Sequence, residues 1–182
     1  MSEEIRGQLK LQLLLEKKKY RRRHIRRSLI LTGTLTVILL GIVIIMNVVI
    51  GIDMVSGESM YPSLRSGDII FYRRGGSLAS GDVVVFQQDG EDLVKRVAAV
   101  PGDTVEIDGR SGRVIVNGQM IQEPYVIEAD ETEISIPLTV LDNHYFVLGD
   151  NREISVDSRD QKVGTVPADH IRGKVFLVLR RE

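Results

Sequence analysis

An uninterrupted apolar stretch near the N-terminus is the clearest pattern along the chain. Residues 29–50 carry no charged side chain, and leucine, isoleucine and valine dominate them. A helix of this length rises about 33 Å, close to the roughly 30 Å hydrocarbon core of a bilayer. The stretch has no amphipathic period, and it is longer than the apolar region of a cleaved signal peptide. It therefore predicts a transmembrane signal anchor over residues 29–51.

After this stretch the pattern changes to short β-branched runs bounded by glycine-containing turns. Such runs are typical of strands that are buried on one or both faces. They cover residues 68–72, 82–86, 93–100, 104–107, 113–116, 145–148 and 174–179. Because no long amphipathic helix separates them, the pattern predicts a mainly β protein whose second part is an all-β sandwich or barrel. Between residues 117 and 143 the pattern weakens and becomes acidic, which predicts a small inserted cap.

The formal net charge of −1 conceals a difference between the two parts of the chain. Residues 1–28 hold ten lysines and arginines against three glutamates, whereas acidic residues outnumber basic ones after them. Because basic flanks of a span stay on the cytoplasmic side, residues 1–28 are predicted to be a cytoplasmic tail beside anionic lipid. Residues 52–182 would then be the extracytoplasmic domain of a single-pass protein in the cell membrane. The position of the basic run argues against a nucleic-acid partner.

The composition excludes several kinds of site. The chain has no cysteine, so it forms no disulfide and has no cysteine nucleophile. Its three histidines, His24, His144 and His170, lack the spacing of metal ligands. We therefore expect neither a metal nor a cofactor.

Ser59 and Lys95 lie in two stretches that suit a serine nucleophile activated by a lysine. A break at Gly57 before Ser59 can present the hydroxyl, with backbone N–H groups for an oxyanion, at the edge of a sheet. On an extended strand Leu93, Lys95 and Val97 share one face, and apolar neighbours disfavour a charged amine. A neutral lysine can remove the proton from a serine hydroxyl.

Taken alone, these residues leave alternatives open. Ser59 could be an ordinary turn serine, with Ser56, Ser63 and Ser66 as rivals nearby, and Lys95 could be a solvated lysine on a strand. A third stretch, residues 148–160, gathers carboxylates, arginines and serines after a strand. It is either a charged surface loop or a polar support in which Ser155 hydrogen-bonds the lysine amine.

Together the three stretches resemble type I signal peptidases, membrane-bound Ser-Lys endopeptidases that remove signal peptides. Residues 59–64 are similar to the nucleophile box of that family, and residues 81–86 to a structural strand box. Residues 95–103 are similar to its lysine box, and residues 149–159 to its last box. The short body and single anchor resemble Gram-positive bacterial members.

The resemblance implies a role for several side chains. Ser59 would be the nucleophile, Lys95 the general base and Ser155 the residue that orients the lysine. Gly57 stands where other members carry an oxyanion-hole serine, so backbone N–H groups would form that hole. One departure is Ile154, which stands where the family usually has asparagine.

The resemblance also implies structural and substrate-binding residues. Asp150 and Asp157 would be structural carboxylates that pair with Arg96 and Arg159. Family members hold the substrate as an added β-strand, with small pockets for the residues at −1 and −3 of the cut. The candidates for these pockets, by position, are Val55, Leu64, Leu93 and Val94.

The implied partners are signal peptides of exported preproteins and membrane lipid, with the secretion translocon as a further candidate. One rival hypothesis is a catalytically silent, membrane-anchored assembly factor or chaperone of a pilus or surface-protein system, which would be expected to lack the serine or the lysine. Another is a self-cleaving Ser-Lys repressor, which would need an N-terminal DNA-binding domain and no membrane span.

Overall fold

A computed structural model describes residues 3–108, 111–126 and 134–181. The chain divides into two compact units, Met1–Asn47 and Val48–Glu182. Helix α1 begins at Glu3 and ends at Val49, two residues beyond the first unit, and its segment Glu16–Met46 is long and apolar enough to cross a membrane by length and composition.

The second unit consists of two antiparallel β-sheets. The larger sheet has the strand order β1-β2-β11-β3-β4-β9-β10, and the smaller has the order β7-β6-β5-β8. The larger sheet contains β1 (Ile50–Met54), β2 (Ile69–Arg73), β3 (Val83–Gln88), β4 (Glu91–Ala99), β9 (His144–Leu148), β10 (Val166–Pro167) and β11 (Ile171–Leu179). The smaller contains β5 (Thr104–Ile107), β6 (Val114–Val116), β7 (Gln119–Met120) and β8 (Ile134–Thr139). A short 3₁₀ helix, Ala168–His170, leads into β11.

The central strands of the larger sheet carry apolar side chains on both faces. In the register of β3 and β4, Val84 lies opposite Lys95 and Val85 lies opposite Val94. Val84 belongs to one buried cluster with Phe86, Val97, Val147 and Val166. Val85 belongs to another with Val55, Met60, Leu64, Ile70 and Tyr72. Since neighbouring residues on a strand face opposite sides, Lys95 projects on the side of the first cluster.

The prediction of a mainly β protein with one N-terminal apolar helix is confirmed. Each of the seven predicted runs of β-branched residues overlaps one of the observed strands, and four of them extend one residue beyond it. Strands β7 and β8 fall inside the predicted cap of residues 117–143, and residues 127–133 of that cap lie outside the described residues. The boundaries at residues 28, 51 and 117–143 stay predictions.

Phe86 provides a test of this packing. Phe86→Ala removes a ring that is 0% exposed, and we expect the free energy of unfolding to fall by about 3–5 kcal/mol because a cavity remains. Phe176→Ala is the matched control, since that ring is 56% exposed in β11 and should change stability by about 0.5 kcal/mol or less. Urea unfolding of the full chain in detergent measures both values, and equal losses would contradict the assignment of Phe86 to the core.

Candidate active site

The side chains of Ser59 and Lys95 are in direct contact. The distance from Lys95 Nζ to Ser59 Oγ is 2.7 Å, a hydrogen bond between residues 36 positions apart. Ser59 is half-buried in the turn between β1 and β2, and Lys95 lies in the middle of β4 with 3% of its surface exposed. The fold therefore brings together the two residues that the sequence analysis singled out as a pair.

The turn that carries Ser59 is held on both sides. Met60, which follows Ser59, is 1% exposed and is part of the buried cluster beside β1 and β2. The backbone N–H of Asn151 donates to the carbonyl oxygen of Ser59 at 3.0 Å. Gly57 has a φ of +86°, a backbone conformation that favours glycine and lets the chain break away from β1. These contacts position the serine hydroxyl before any substrate binds.

The surroundings of Lys95 oppose its positive charge. Burial among apolar residues lowers the pKa of the amine, and the Arg159 guanidinium lowers it further, whereas the carboxylates of Asp157 and Asp150 act in the opposite direction. The net effect is a pKa below the usual lysine value of 10.5. A lysine with a lowered pKa can be neutral more often and accept the proton of a neighbouring hydroxyl.

Arg96, the next residue of β4, pairs with Asp150 on the other side of the strand. Its Nε donates to Asp150 Oδ1 at 2.8 Å and its Nη2 to Oδ2 at 2.6 Å. Two further donations go to the carbonyl oxygen of Gly81 and to Ser63 Oγ. With four hydrogen bonds, the guanidinium ties β4 to the turn that carries Ser59 and to the segment after β9.

Asp157 is a buried hydrogen-bond acceptor for several groups of the segment after β9. Its carboxylate is 0% exposed, receives two hydrogen bonds from the guanidinium of Arg159 and accepts the N–H of Gly149 at 2.9 Å. Arg159 Nη2 also donates to the carbonyl oxygen of Arg152 at 2.7 Å. The pairs Arg96–Asp150 and Arg159–Asp157 join the partners that the resemblance implies.

Ser155 does not make the contact that was expected of it. Its Oγ is buried and, among the described residues, has no hydrogen-bond partner, so the hydrogen bond to the Lys95 amine is not formed in this structure. The hydroxyl nevertheless lies beside the catalytic turn. A Cβ atom placed on Gly149 would collide with Ser155 Oγ and would come within 2.6 Å of the carbonyl oxygen of Ser59.

Sequence reasoning missed a second layer of contacts around Arg96. The Arg96 guanidinium lies 4.0 Å from the ring centre of Tyr125, a cation–π contact. The Tyr125 hydroxyl donates to Glu123, and Glu123 forms an ion pair with the buried Arg152. Burial, with the Glu123 carboxylate, raises the pKa of Tyr125 to about 12, so its hydroxyl stays neutral at physiological pH. The only signal in the sequence was an aromatic residue inside the acidic stretch predicted to be a cap.

Two clefts open beside the Ser59–Lys95 contact. The first, of about 590 Å³, is lined by β1 and β4 and is called the strand cleft here. The second, of about 460 Å³, is lined by residues 154–163 and the β3–β4 turn and is called the loop cleft. Three of the four predicted pocket residues, Val55, Leu93 and Val94, line the strand cleft.

Leu64 is the exception among the predicted pocket residues. It is 3% exposed and packs in the buried cluster with Met60 and Ile70, and the cavity that it lines is a separate one beside β11. A position five residues after Ser59 predicts proximity along the chain, but the turn directs this side chain into the core. Gly57 and Ile154, by contrast, both line the loop cleft. Among the described residues, no group of three or more acidic or histidine side chains could hold a metal ion.

Comparisons with known proteins agree on one family. A family model described as signal peptidase, peptidase S26, matches residues 26–180. Signal peptidase I S of Bacillus subtilis is 35% identical over 131 residues, which cover 64% of this chain and 70% of that protein. Signal peptidase IB of Staphylococcus aureus is 39% identical over 144 residues, or 66% of this chain and 73% of that protein.

Among solved structures, the chain is similar to a signal peptidase I from Enterococcus faecalis. The identity is 28% and the TM-score is 0.47, with 56% of this chain and 98% of that chain covered.

The close approach at Gly149 makes a specific prediction. In Gly149→Ala the added methyl group would push against Ser155 and against the carbonyl oxygen of Ser59. We expect the free energy of unfolding to fall by about 1–3 kcal/mol as these groups move away from it. Gly33→Ala is the control, because a Cβ atom there meets nothing within 4 Å. Urea unfolding followed by circular dichroism compares the two variants. Unchanged stability in Gly149→Ala would contradict the close approach of Ser155 Oγ and of the Ser59 carbonyl oxygen to Gly149.

Proposed function

The chain belongs to the signal peptidase family, peptidase S26, and from this membership we propose that it is a membrane-anchored serine endopeptidase that removes signal peptides from exported preproteins. In this proposal Ser59 is the nucleophile and Lys95 is the general base. The family supports a serine peptidase that removes signal peptides. The observation that carries the assignment of the two residues is the 2.7 Å contact between Lys95 Nζ and Ser59 Oγ in a buried, apolar setting.

In the proposed reaction, neutral Lys95 takes the proton of the Ser59 hydroxyl as Ser59 Oγ attacks the carbonyl carbon of the scissile peptide bond. The resulting oxyanion is held by backbone N–H groups of the turn, that of Ser59 foremost. The protonated lysine then gives its proton to the departing amine, the C–N bond breaks, and an ester joins the signal peptide to Ser59. Lys95, neutral again, activates a water molecule that hydrolyses the ester.

The buried ion pairs have a positioning role in this proposal. Asp150 and Asp157 both act to raise the pKa of Lys95, which would leave less of the amine neutral, and able to accept a proton, at neutral pH. Each carboxylate is paired with an arginine, Arg96 or Arg159, whose positive charge compensates for it. Ser155, whose buried Oγ has no hydrogen-bond partner among the described residues, is the proposed partner that orients the amine.

The strand cleft is the proposed site for the signal peptide side of the substrate. β1 is an edge strand of the larger sheet, and Asp53, Met54 and Val55 at its end line the cleft. A peptide laid along such an edge can add a β-strand to the sheet. Val55, Leu93 and Val94 would then form the shallow walls that limit the residues at −1 and −3 to small side chains.

We propose a single-pass topology, with residues 1–28 in the cytoplasm and residues 52–182 outside it. The apolar segment of α1 and the basic residues before it support this orientation. The basic flank would contact anionic lipid, and the secretion translocon is a candidate partner because it delivers the substrates. A silent assembly factor of a pilus or surface-protein system is the alternative, and the contact between Ser59 and Lys95 disfavours it.

Two substitutions test the catalytic pair. Ser59→Ala and Lys95→Arg should each lower kcat by at least about a thousandfold, because one removes the nucleophile and the other a base that can lose its proton. The controls Ser66→Ala and Lys174→Arg replace the same residue types outside the contact. Purified full-length protein in detergent and a preprotein with an Ala-x-Ala site supply the assay. Wild-type cleavage rates in Ser59→Ala or Lys95→Arg would remove that residue from the proposed mechanism.

The lowered pKa of Lys95 gives a pH dependence. The rate constant kcat/KM should rise with pH as the amine loses its proton, and should level off below the ordinary lysine pKa of 10.5. Between the folded and unfolded pKa values the unfolded chain binds more protons, so stability should also rise with pH in that window.

Lys95→Met separates these two effects. The variant should be inactive, and its free energy of unfolding should lose the part of the pH dependence that Lys95 contributes. A kcat/KM profile that is flat from mild acid to mild alkali, or a Lys95→Met variant with the wild-type slope of stability, would contradict a lowered pKa.

A further inference from the structure

The strand cleft and the loop cleft meet at the catalytic pair. Ser59 and Lys95 line both, and so do Ser56, Glu91 and Leu93. A polypeptide placed with its scissile bond at Ser59 must therefore run through both clefts, with one side of the bond in each. The two clefts act as one groove, and the proposed function uses only half of it.

The loop cleft has an apolar wall in an otherwise polar segment. Ile154 and Val156 are 55% and 56% exposed, whereas Oγ of Ser155 between them is buried. The loop between β9 and β10 therefore turns these two side chains outward and the Ser155 hydroxyl inward. Val163 adds a third aliphatic side chain to the cleft. These side chains offer contacts that the catalytic pair itself does not need.

The charges of the loop cleft are mostly negative. Glu58, Asp89 and Glu91 line it, and Lys162 is a basic residue of its lining besides the buried Lys95 of the catalytic pair. The three acidic residues and Lys162 are exposed, so they act on a bound polypeptide at short range through partly screened interactions. A carboxylate entering the cleft would meet like charges and an apolar wall.

The edge strand indicates which side of the substrate enters which cleft. β1 lies at the edge of the larger sheet, and its residues Asp53 and Met54 line the strand cleft but not the loop cleft. The proposed function places the signal peptide beside this edge as an added β-strand. The residues after the cut then occupy the loop cleft.

We propose that the loop cleft binds the first residues of the mature polypeptide, and that Ile154 and Val156 make the enzyme prefer an aliphatic side chain over a carboxylate there. This inference rests on the proposed function and deepens it, because it assigns specificity to the side of the cut that follows the scissile bond. Ile154, an exposed side chain in the lining of the loop cleft, is then a specificity residue of this chain.

The test uses one preprotein with a fixed signal peptide and a fixed residue at +1. Valine, asparagine, lysine or aspartate is placed at +2, and kcat/KM is measured for each with the full-length enzyme in detergent. We expect the valine substrate to exceed the aspartate substrate by roughly tenfold, the size of effect that one apolar contact gives. The lysine substrate should fall between them.

Three variants identify the groups responsible. Ile154→Asn should reduce the preference for valine to about twofold, whereas Ile154→Val should retain it because the wall stays apolar. Asp89→Asn should raise kcat/KM for the aspartate substrate selectively, and asparagine tolerates the positive φ of 51° at this position. Leu141→Asn is the matched surface control, since Leu141 is 62% exposed and is not among the residues that line either cleft.

The outcomes separate this inference from the proposed function. Equal cleavage of all four substrates by the wild type would overturn the inference and leave the proposed function standing. An unchanged preference for valine over aspartate in Ile154→Asn would also overturn it, because the residue at +2 would then not contact this side chain. Failure to cleave any member of the series would overturn both.

Discussion

Moving the Lys95 amine out of water is the constraint on which the rest of the site depends. A charged ammonium is costly to bury, so burial among Val84, Leu93 and Val97 shifts the equilibrium towards the neutral amine. The favourable packing of the central strands in the larger sheet offsets this free-energy cost. The same burial that weakens the structure locally would suit Lys95 to the role of base that is proposed for it.

The buried charges around the lysine are arranged so as not to undo this effect. Asp150 and Asp157 would each favour the charged amine, but both are held in two-point contacts by arginines. Pairing gives the buried carboxylates hydrogen-bond donors, and the positive charge of Arg159 opposes their effect on the pKa of Lys95. Tyr125 extends this arrangement, because a neutral aromatic ring covers the Arg96 guanidinium without adding a negative charge. Structural support and control of the lysine pKa are therefore one network.

Much of this arrangement follows from the sequence, and the exceptions have physical causes. The alternation of strand residues places Leu93, Lys95 and Val97 on one face, so the apolar setting of the lysine can be read locally. Contacts such as Arg96 with Tyr125 or Glu123 with Arg152 join distant segments, and no period along the chain encodes them. Leu64 shows a related difficulty, since hydrophobicity alone does not distinguish the wall of a pocket from the core beneath it.

The four hydrogen bonds of Arg96 have a consequence for how the site comes apart. The guanidinium joins β4, the turn that carries Ser59 and the segment after β9, which are distant along the chain. Local opening of any one of these segments would leave a largely buried charge without part of its hydrogen bonding. The contact between Ser59 and Lys95 should therefore be lost in one cooperative step rather than by fraying of a single loop.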